Sequence, residues 1–151
     1  MKRADEIQPR DVPEELALGY FTLLMKRDLD GFAQLWHEDA INHIPFRPEG
    51  FGKFVTDAFV GRDQIMEHYR IAFKNRSDHV FWIDHIHRTE NKDIVIVEAH
   101  ANSLVGETKR VYENQYVCIF TASDGKLVSL KEYTNPLAFM RAFGGGFEEF
   151  R

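Results

Sequence analysis

This sequence has a single cysteine and shows neither long hydrophobic runs nor the pattern of a secretory signal. Cys118 is the only cysteine among 151 residues, so the chain cannot form an internal disulfide or a cysteine-based zinc site. No apolar run approaches the roughly 20 residues that a membrane-spanning helix needs, and the charged N-terminus lacks the apolar segment of a signal peptide. These shortages predict a soluble protein of the reducing cytoplasm, with no membrane partner.

Basic residues and phosphate-binding motifs are also scarce. Lys and Arg number 19 against 24 Asp and Glu, which gives a net charge of −5, and the sequence has no basic stripe. Binding to a nucleic acid backbone needs clustered positive charge, so we predict no nucleic acid partner. The chain also has no glycine-rich phosphate loop and no nucleophile elbow for Ser-His-Asp catalysis.

Phenylalanine, in contrast, is abundant. The chain contains 13 phenylalanines, and 44% of its residues are hydrophobic. A core can absorb these rings, and they can also line a cavity for a flat organic ligand. Composition leaves both uses open.

Apolar residues recur at helical spacing through the first half of the chain. They predict a helix from Glu14 to near Arg27 and a short helix capped by Asp28, with Trp36 on its apolar face. A third helix is predicted to open at Gly61.

Strand patterns dominate the second half of the chain. A strand at residues 41–46 precedes the third helix, and residues 51–60 show no clear pattern. Four strands separated by turn-like pairs then form an antiparallel meander, at residues 79–88, 94–102, 110–121 and 126–134. A final helical segment is predicted from Pro136 to Phe143, stopped by three glycines.

Helices first and a meander last define an α+β fold. We predict a flexible arm at residues 1–13 and a single barrel-like α+β domain at residues 14–151. In this domain a strongly curved antiparallel sheet wraps around the N-terminal helices as a cone. Such a sheet leaves a concave site suited to a small ligand.

The last predicted strand places a carboxylate on an apolar face. Side chains alternate along a strand, so Val128, Leu130 and Glu132 share one face, opposite Ser129 and Lys131. The first face is apolar and is predicted to point inward. Desolvation of Glu132 would raise its pKa toward the range useful for acid–base catalysis. The alternative is a glutamate that pairs with a basic side chain at the rim.

His68 is a second candidate for proton transfer. It follows Ile65 by three positions and therefore lies at the edge of the buried stripe of the third helix. Imidazole exchanges its proton near neutral pH. A structural role fits the same spacing, so the pattern leaves both readings open.

Four further residues are predicted to line a ligand site: Tyr20, Trp36, Asn114 and Tyr116. Tyr20 and Trp36 lie on predicted apolar helix faces, and each carries a donor that needs a partner. Asn114 and Tyr116 share one face of the third meander strand, where they either pack in the core or orient a polar ligand.

His85 and His87 form a His-x-His pair on one strand face, a spacing that can hold a metal ion. His43 and His100 can be nominated as further ligands, but no pattern connects them to the pair. We therefore predict surface histidines and no metal site.

Several runs of residues resemble known families. The sequence DLDGFAQLWHEDA at residues 28–40 resembles the second-helix signature of ketosteroid isomerases and SnoaL-like polyketide cyclases, members of the nuclear transport factor 2-like superfamily. A more specific resemblance, to the phenazine-biosynthesis A/B proteins, covers nearly the whole chain after the arm. It rests on GRD at 61–63, EH at 67–68, YENQY at 112–116, DGKL at 124–127 and KEYTNP at 131–136.

The resemblance implies a chemistry and its residues. In the phenazine A/B family a helix histidine and a last-strand glutamate are the acid–base residues, and they match His68 and Glu132. That family condenses two amino-cyclohexenone units by proton transfers, without a metal or an organic cofactor, and domains of this kind commonly pair through the sheet. The resemblance thus implies no cofactor, a small hydrophobic or aromatic ligand, and a homodimer formed through the sheet face.

The chain departs from these families at several site positions. A serine that the phenazine A/B proteins carry one helical turn after the histidine is Ala72 here, and their pocket arginine has no identified match. Tyr20 matches the oxyanion tyrosine of ketosteroid isomerases, whereas their base aspartate falls at Ile44.

Two functions follow as hypotheses. The first is a cofactor-free acid–base enzyme that isomerises, cyclises or condenses a hydrophobic, carbonyl-bearing small molecule, with Glu132 and His68 handling the proton. The second is a non-catalytic module of the same fold that binds a small molecule or serves in assembly.

Overall fold

Four α-helices and a seven-stranded sheet make up the part of the chain that the computed structural model describes, residues 1–47 and 57–144. The helices are α1 (Val12–Lys26), α2 (Leu29–Gln34), α3 (Arg62–Asn75) and α4 (Pro136–Phe143). The strands are β1 (Lys2–Arg3), β2 (Trp36–His43), β3 (Ala58–Val60), β4 (Arg76–Arg88), β5 (Ile94–Val105), β6 (Val111–Ser123) and β7 (Lys126–Thr134). A single 3₁₀ turn, Ala4–Glu6, follows β1.

The strands are ordered β1-β4-β5-β6-β7-β2-β3, and the described sheet does not close into a barrel. Strands β4 to β7 form the predicted antiparallel meander. Strand β2 differs, because it pairs in parallel with β7. The α+β class is therefore confirmed, with a mixed sheet in place of the purely antiparallel one that the sequence predicted.

The second helix is shorter than predicted. It ends at Gln34, and Trp36 begins β2 instead of lying on the helix. The backbone N–H of Leu127 donates to the Leu35 carbonyl over 2.7 Å, and Trp36 is the register partner of Leu127. The spacing of Leu35 and Trp36 fits a helix as well as a strand, so pairing with β7 decides the outcome.

The first residues of the chain lie against the sheet. Strand β1 pairs with β4, and Ala4 behind it is buried. Helix α1 begins at Val12, where the Asp11 carboxylate accepts a hydrogen bond from the Glu14 N–H over 3.1 Å. The segment predicted as a flexible arm thus contains an edge strand and the start of α1.

The shared face predicted on β6 points inward and is buried throughout, and it consists of Tyr112, Asn114, Tyr116, Cys118 and Phe120. Helix α1 packs on this face. The Tyr20 ring lies 5.4 Å from the Phe120 ring, and Phe21 reaches Phe81 of β4 at 5.1 Å. Aromatic packing of this kind fixes α1, and with it Tyr20, over the sheet.

A bulge in β7 changes which side chains face inward. The register with β6 slips by one residue around Val128, so two residues of β7 oppose one residue of β6. Leu127 and Leu130 are both fully buried, whereas Val128, predicted to point inward, is partly exposed. The bulge precedes Leu130, so Leu130 and Glu132 keep the predicted inward face.

Helix α4 spans the predicted residues and ends at Gly144, which adopts a left-handed backbone with a φ of 77°. Gly145, Gly146 and most of the stretch 51–60 lie outside the described residues. Across the described ranges, each helix is too short or too polar to cross a lipid bilayer.

Candidate functional site

A cavity opens between α1, α3 and the inner face of the meander. Its volume is about 70 Å³, several times the roughly 10–15 Å³ that one buried water requires. Phe73, Phe81 and Phe139 contribute to its wall, so phenylalanine serves the cavity as well as the core. The polar side chains in the wall are Tyr20, His68, Tyr69, Arg76, His79, Tyr112, Tyr116, Glu132 and Thr134.

Glu132 reaches the cavity from β7. Desolvation by burial raises the pKa of its carboxyl from 4.5 to about 7. The positive charge of Arg76 and a hydrogen bond from the Tyr20 hydroxyl to Oε2, at 3.5 Å, favour the ionised form but only in part offset burial. Near neutral pH this carboxyl is divided between its two forms, so it can either accept or donate a proton.

A chain of hydrogen bonds leads to this carboxyl. The Asn42 amide donates to the Tyr69 hydroxyl over 3.0 Å, and the hydroxyls of Tyr69 and Tyr20 lie 2.8 Å apart. Each hydroxyl has one proton, so when Tyr20 donates to Glu132, Tyr69 donates to Tyr20. Burial raises the pKa of both tyrosines well above the usual value, and both therefore stay protonated donors.

His68 lines the same cavity from α3. Its ring stacks on Phe59 at 4.2 Å and meets the Tyr69 ring edge-on at 4.9 Å. Burial, with a contribution from Arg76, lowers its pKa from 6.5 to about 3. The imidazole is therefore neutral at pH 7, and within the described ranges its nitrogens form no hydrogen bond to protein.

Strand β4 contributes two further polar side chains to the wall, and a bulge turns one of them inward. The register with β5 slips by one residue between Ser77 and Val80, and Asp78 adopts a left-handed backbone with a φ of 52°. Strict alternation from the buried Phe81 places His79 on the inward face but would turn Arg76 outward, and the extra residue brings Arg76 to the cavity as well. Sequence reasoning missed both. The alternation with Phe81 could have found His79, and Asp78, a residue type that tolerates this backbone, is the signal for the bulge that turns Arg76 inward.

The four predicted ligand residues are divided between the cavity and the core. Tyr20 and Tyr116 line the cavity. Trp36 does not line it, because its side chain is fully buried against Tyr20 and Phe32. The apolar face on which Trp36 was predicted belongs to the core of the domain.

Asn114 also lies outside the cavity wall and connects α4 to the sheet. Its Nδ2 donates to the Tyr112 hydroxyl over 2.7 Å and to the Asn135 carbonyl over 3.0 Å. Its Oδ1 accepts from the Asn135 N–H over 3.0 Å, and Asn135 in turn caps α4. The amide thus has protein partners for both of its polar atoms.

Replacing Asn114 with alanine is expected to lower the free energy of unfolding by about 2 kcal/mol, because the buried Tyr112 hydroxyl and the part-buried backbone groups of Asn135 lose their hydrogen bonds. Urea unfolding measures the change. Gln115→Ala, at the exposed neighbouring position, should change stability little. An Asn114→Ala variant as stable as the parent would contradict the structural role.

His85 and His87 lie on the exposed outer face of β4, with ring centroids 5.8 Å apart. His87 Nε2 is 2.8 Å from Glu98 Oε2. In the ranges that the structure describes, the only group of potential metal ligands close enough together is the exposed run His37, Glu38 and Asp39. The His-x-His pair is not part of that group.

Fold and cavity together define a class of protein: a small α+β cone whose helices and curved sheet enclose a cavity with a buried carboxyl. The SnoaL-like domain family matches residues 17–130. The chain therefore belongs to the SnoaL-like domain family, and the resemblance inferred from residues 28–40 is confirmed.

Two proteins with similar sequences and one crystal structure are similar to this chain over most of its length. The uncharacterised protein YesE of Bacillus subtilis (strain 168) is 27% identical over 128 residues, 85% of this chain and 84% of YesE. An uncharacterised PhzA/B-like protein of Pseudomonas aeruginosa is 24% identical over 132 residues, 87% of this chain and 90% of that protein. The crystal structure of a candidate isomerase from Bacillus subtilis has a TM-score of 0.80 at 24% identity and covers 93% of this chain and 98% of that one. The structural likeness supports the fold, and the PhzA/B-like relative supports the phenazine A/B resemblance.

Proposed function

We propose that this protein is a cofactor-free acid–base enzyme that moves a proton next to the carbonyl group of a small hydrophobic molecule. The observation that carries the proposal is the Glu132 carboxyl, which has a pKa of about 7 and faces a cavity with hydroxyl donors. A base whose pKa lies near the working pH combines a useful ionised fraction with sufficient basicity. Proton removal and return need no electron acceptor, so the residues present supply the chemistry.

In the proposed reaction the Glu132 carboxylate takes a proton from the carbon beside the substrate carbonyl. The electron pair of that C–H bond forms a carbon–carbon double bond, and the π pair of the carbonyl moves to its oxygen, which becomes an enolate oxygen. Tyr20 has a single hydroxyl proton, so in the proposed reaction its hydrogen bond passes from Glu132 to this oxygen, supported by Tyr69 and Asn42 behind it. Glu132 then returns its proton to another carbon, which is an isomerisation. Alternatively, the enolate carbon attacks a second carbonyl or imine carbon, and the oxygen or nitrogen that receives the electron pair of the broken π bond takes the proton from Glu132, which is the bond-forming step of a condensation.

We do not assign proton transfer to His68. Its pKa of about 3 keeps the ring neutral under working conditions, so we assign it a hydrogen bond to the substrate, not a charge. Stacking on Phe59 and contact with Tyr69 hold the ring in one orientation. Ile44, which also lines the cavity, stands where ketosteroid isomerases have their base, and this leaves Glu132 as the base of the proposed reaction.

Deuterium exchange tests the proposal without knowledge of the natural substrate. The protein is incubated in heavy water with a panel of small cyclic ketones, and loss of the NMR signals beside the carbonyl is followed. We expect accelerated exchange with an inflection near pH 7, together with infrared titration of the Glu132 carboxyl in the same range. A Glu132 pKa near the solution value of about 4.3, with no exchange of any ketone, would favour the non-catalytic binding module.

We also propose that the protein forms a homodimer through the outer face of the meander. This face exposes apolar side chains, including Val117, which is 37% exposed, and the partly exposed Ile96 and Ile119. Burial of such side chains against a second copy would stabilise the pair.

Light scattering is expected to give a mass near twice 17.6 kDa. Val117→Asp should shift the protein toward the monomer, because it would bury a charge in the contact. Ile71→Asp, on the exposed side of α3, is the control and should leave the mass unchanged. A monomeric parent protein would refute the dimer.

A further inference from the structure

Arg76 and His79 form a distinct polar end of the cavity, which we call the basic subsite. Both side chains come from β4, one on each side of Asp78 in the bulge, and both line the cavity together with Glu132. Neither belongs to the hydrogen-bond chain that runs from Asn42 to Glu132. The acid–base reaction proposed above therefore assigns no role to Arg76 or His79.

The Arg76 guanidinium has no anionic partner among the described residues. It lies over the Tyr112 ring at 5.7 Å and the Phe143 ring at 5.9 Å, while Arg10 and Arg88 form ion pairs with acidic side chains. Its charge lowers the pKa of Glu132 and contributes to the low pKa of His79. A positive charge thus acts on the cavity but is not neutralised by a contact within the described part of the protein.

His79 is a second unsatisfied group in the same place. Its Nδ1 is buried and has no hydrogen-bond partner within residues 1–47 and 57–144. The ring packs on Phe81 with centroids 4.7 Å apart, which restrains its orientation. Buried polar atoms without partners are rare and costly in folded proteins, and a neutral imidazole still offers one N–H donor.

We propose that Arg76 and His79 bind the carboxylate of a small organic acid, which makes the substrate a carbonyl compound that also carries a carboxylate. This proposal rests on the function proposed above, because the same cavity would hold the reacting carbon near Glu132. A guanidinium binds the two carboxylate oxygens with matched geometry, and the imidazole N–H adds a third donor. The small volume and the phenylalanines in the wall favour a planar carboxylate over a fully charged phosphate.

Acetate and acetamide are suitable probes, because they share a shape that suits a cavity of about 70 Å³ and differ in charge. Binding is followed by NMR shifts of the Arg76 and His79 side chains during titration of the intact protein. We expect acetate to bind roughly tenfold more tightly than acetamide, the difference that a charge-assisted hydrogen bond provides. Inorganic phosphate is titrated in parallel and is expected to bind more weakly than acetate.

Substitutions at Arg76 and His79 test whether these two side chains cause the preference for acetate over acetamide. Arg76→Gln should reduce the ratio of acetate to acetamide affinity to about one, and Arg76→Lys should retain part of it because the charge remains. His79→Phe keeps the packing on Phe81 and should weaken acetate binding several-fold. Arg70→Gln, which removes an exposed arginine paired with Glu67 on the same helix as His68, should have no effect.

Equal affinity for acetate and acetamide in the parent protein, or an undiminished preference in Arg76→Gln, would overturn the basic subsite. Tighter binding of phosphate than of acetate would overturn the assignment to a carboxylate. Failure of the proposed function gives a different result: no ketone exchanges its protons, while acetate is still preferred and that preference still depends on Arg76.

Discussion

Glu132→Gln is expected to lower the rate of deuterium exchange by roughly two to four powers of ten, the usual contribution of a positioned general base. Glutamine has nearly the same shape and can still accept the hydrogen bond from Tyr20, but it cannot take up a proton. The loss should therefore appear in kcat as well as in kcat/KM, because the missing interaction belongs to the transition state. Circular dichroism should show an unchanged fold.

The pH profile provides a second readout of the same variant. Exchange by the parent protein should rise through pH 7 as Glu132 ionises, and exchange by Glu132→Gln should be low and without this inflection. Glu113→Gln is the matched control, since it makes the same change at an exposed position on β6, and it should retain the parent rate. A Glu132→Gln variant that exchanges ketone protons at the parent rate would exclude Glu132 as the base.

Which side chains of β6 face inward, and that Glu132 of β7 does so, could be predicted from the alternation of residues along the two strands. In β6 the alternation runs without interruption, so the buried set from Tyr112 to Phe120 follows from a period of two. In β7 the bulge comes before Leu130, and the face of Glu132 was therefore assigned correctly even though that of Val128 was not. Local periodicity is reliable where no residue is inserted.

The position of Arg76 at the other end of the cavity was not predictable by the same rule. One extra residue at Asp78 reverses the face on which every earlier residue of β4 lies, which brings Arg76 inward. The role of Asn114 depends on Asn135, which is 21 residues away and meets it only in the fold. The start of β2 at Trp36 likewise depends on Leu127, a partner distant in sequence.

Glu132 should also make the stability of the protein depend on pH. Its pKa rises from 4.5 in the unfolded chain to about 7 in the folded one, so the unfolded state releases the proton first as the pH rises. Below 4.5 both states are protonated, so folding buries no charge at this residue. Above 7 both are ionised, and at about 1.36 kcal/mol per pH unit the folded state has lost about 3 kcal/mol relative to acid.

His68 and His79 have the opposite dependence, since their folded pKa values of about 3 lie below the usual 6.5. Their neutral forms are the buried ones, so stability due to these rings is lost as the pH falls below 6.5. A comparison of the parent with Glu132→Gln cancels this histidine contribution. Urea unfolding of both proteins should therefore show the variant gaining about 3 kcal/mol on the parent between pH 4.5 and 7, with Glu113→Gln gaining nothing. A constant difference across that interval would mean that the Glu132 carboxyl is solvated and has an ordinary pKa, and it would remove the physical basis of the proposed base.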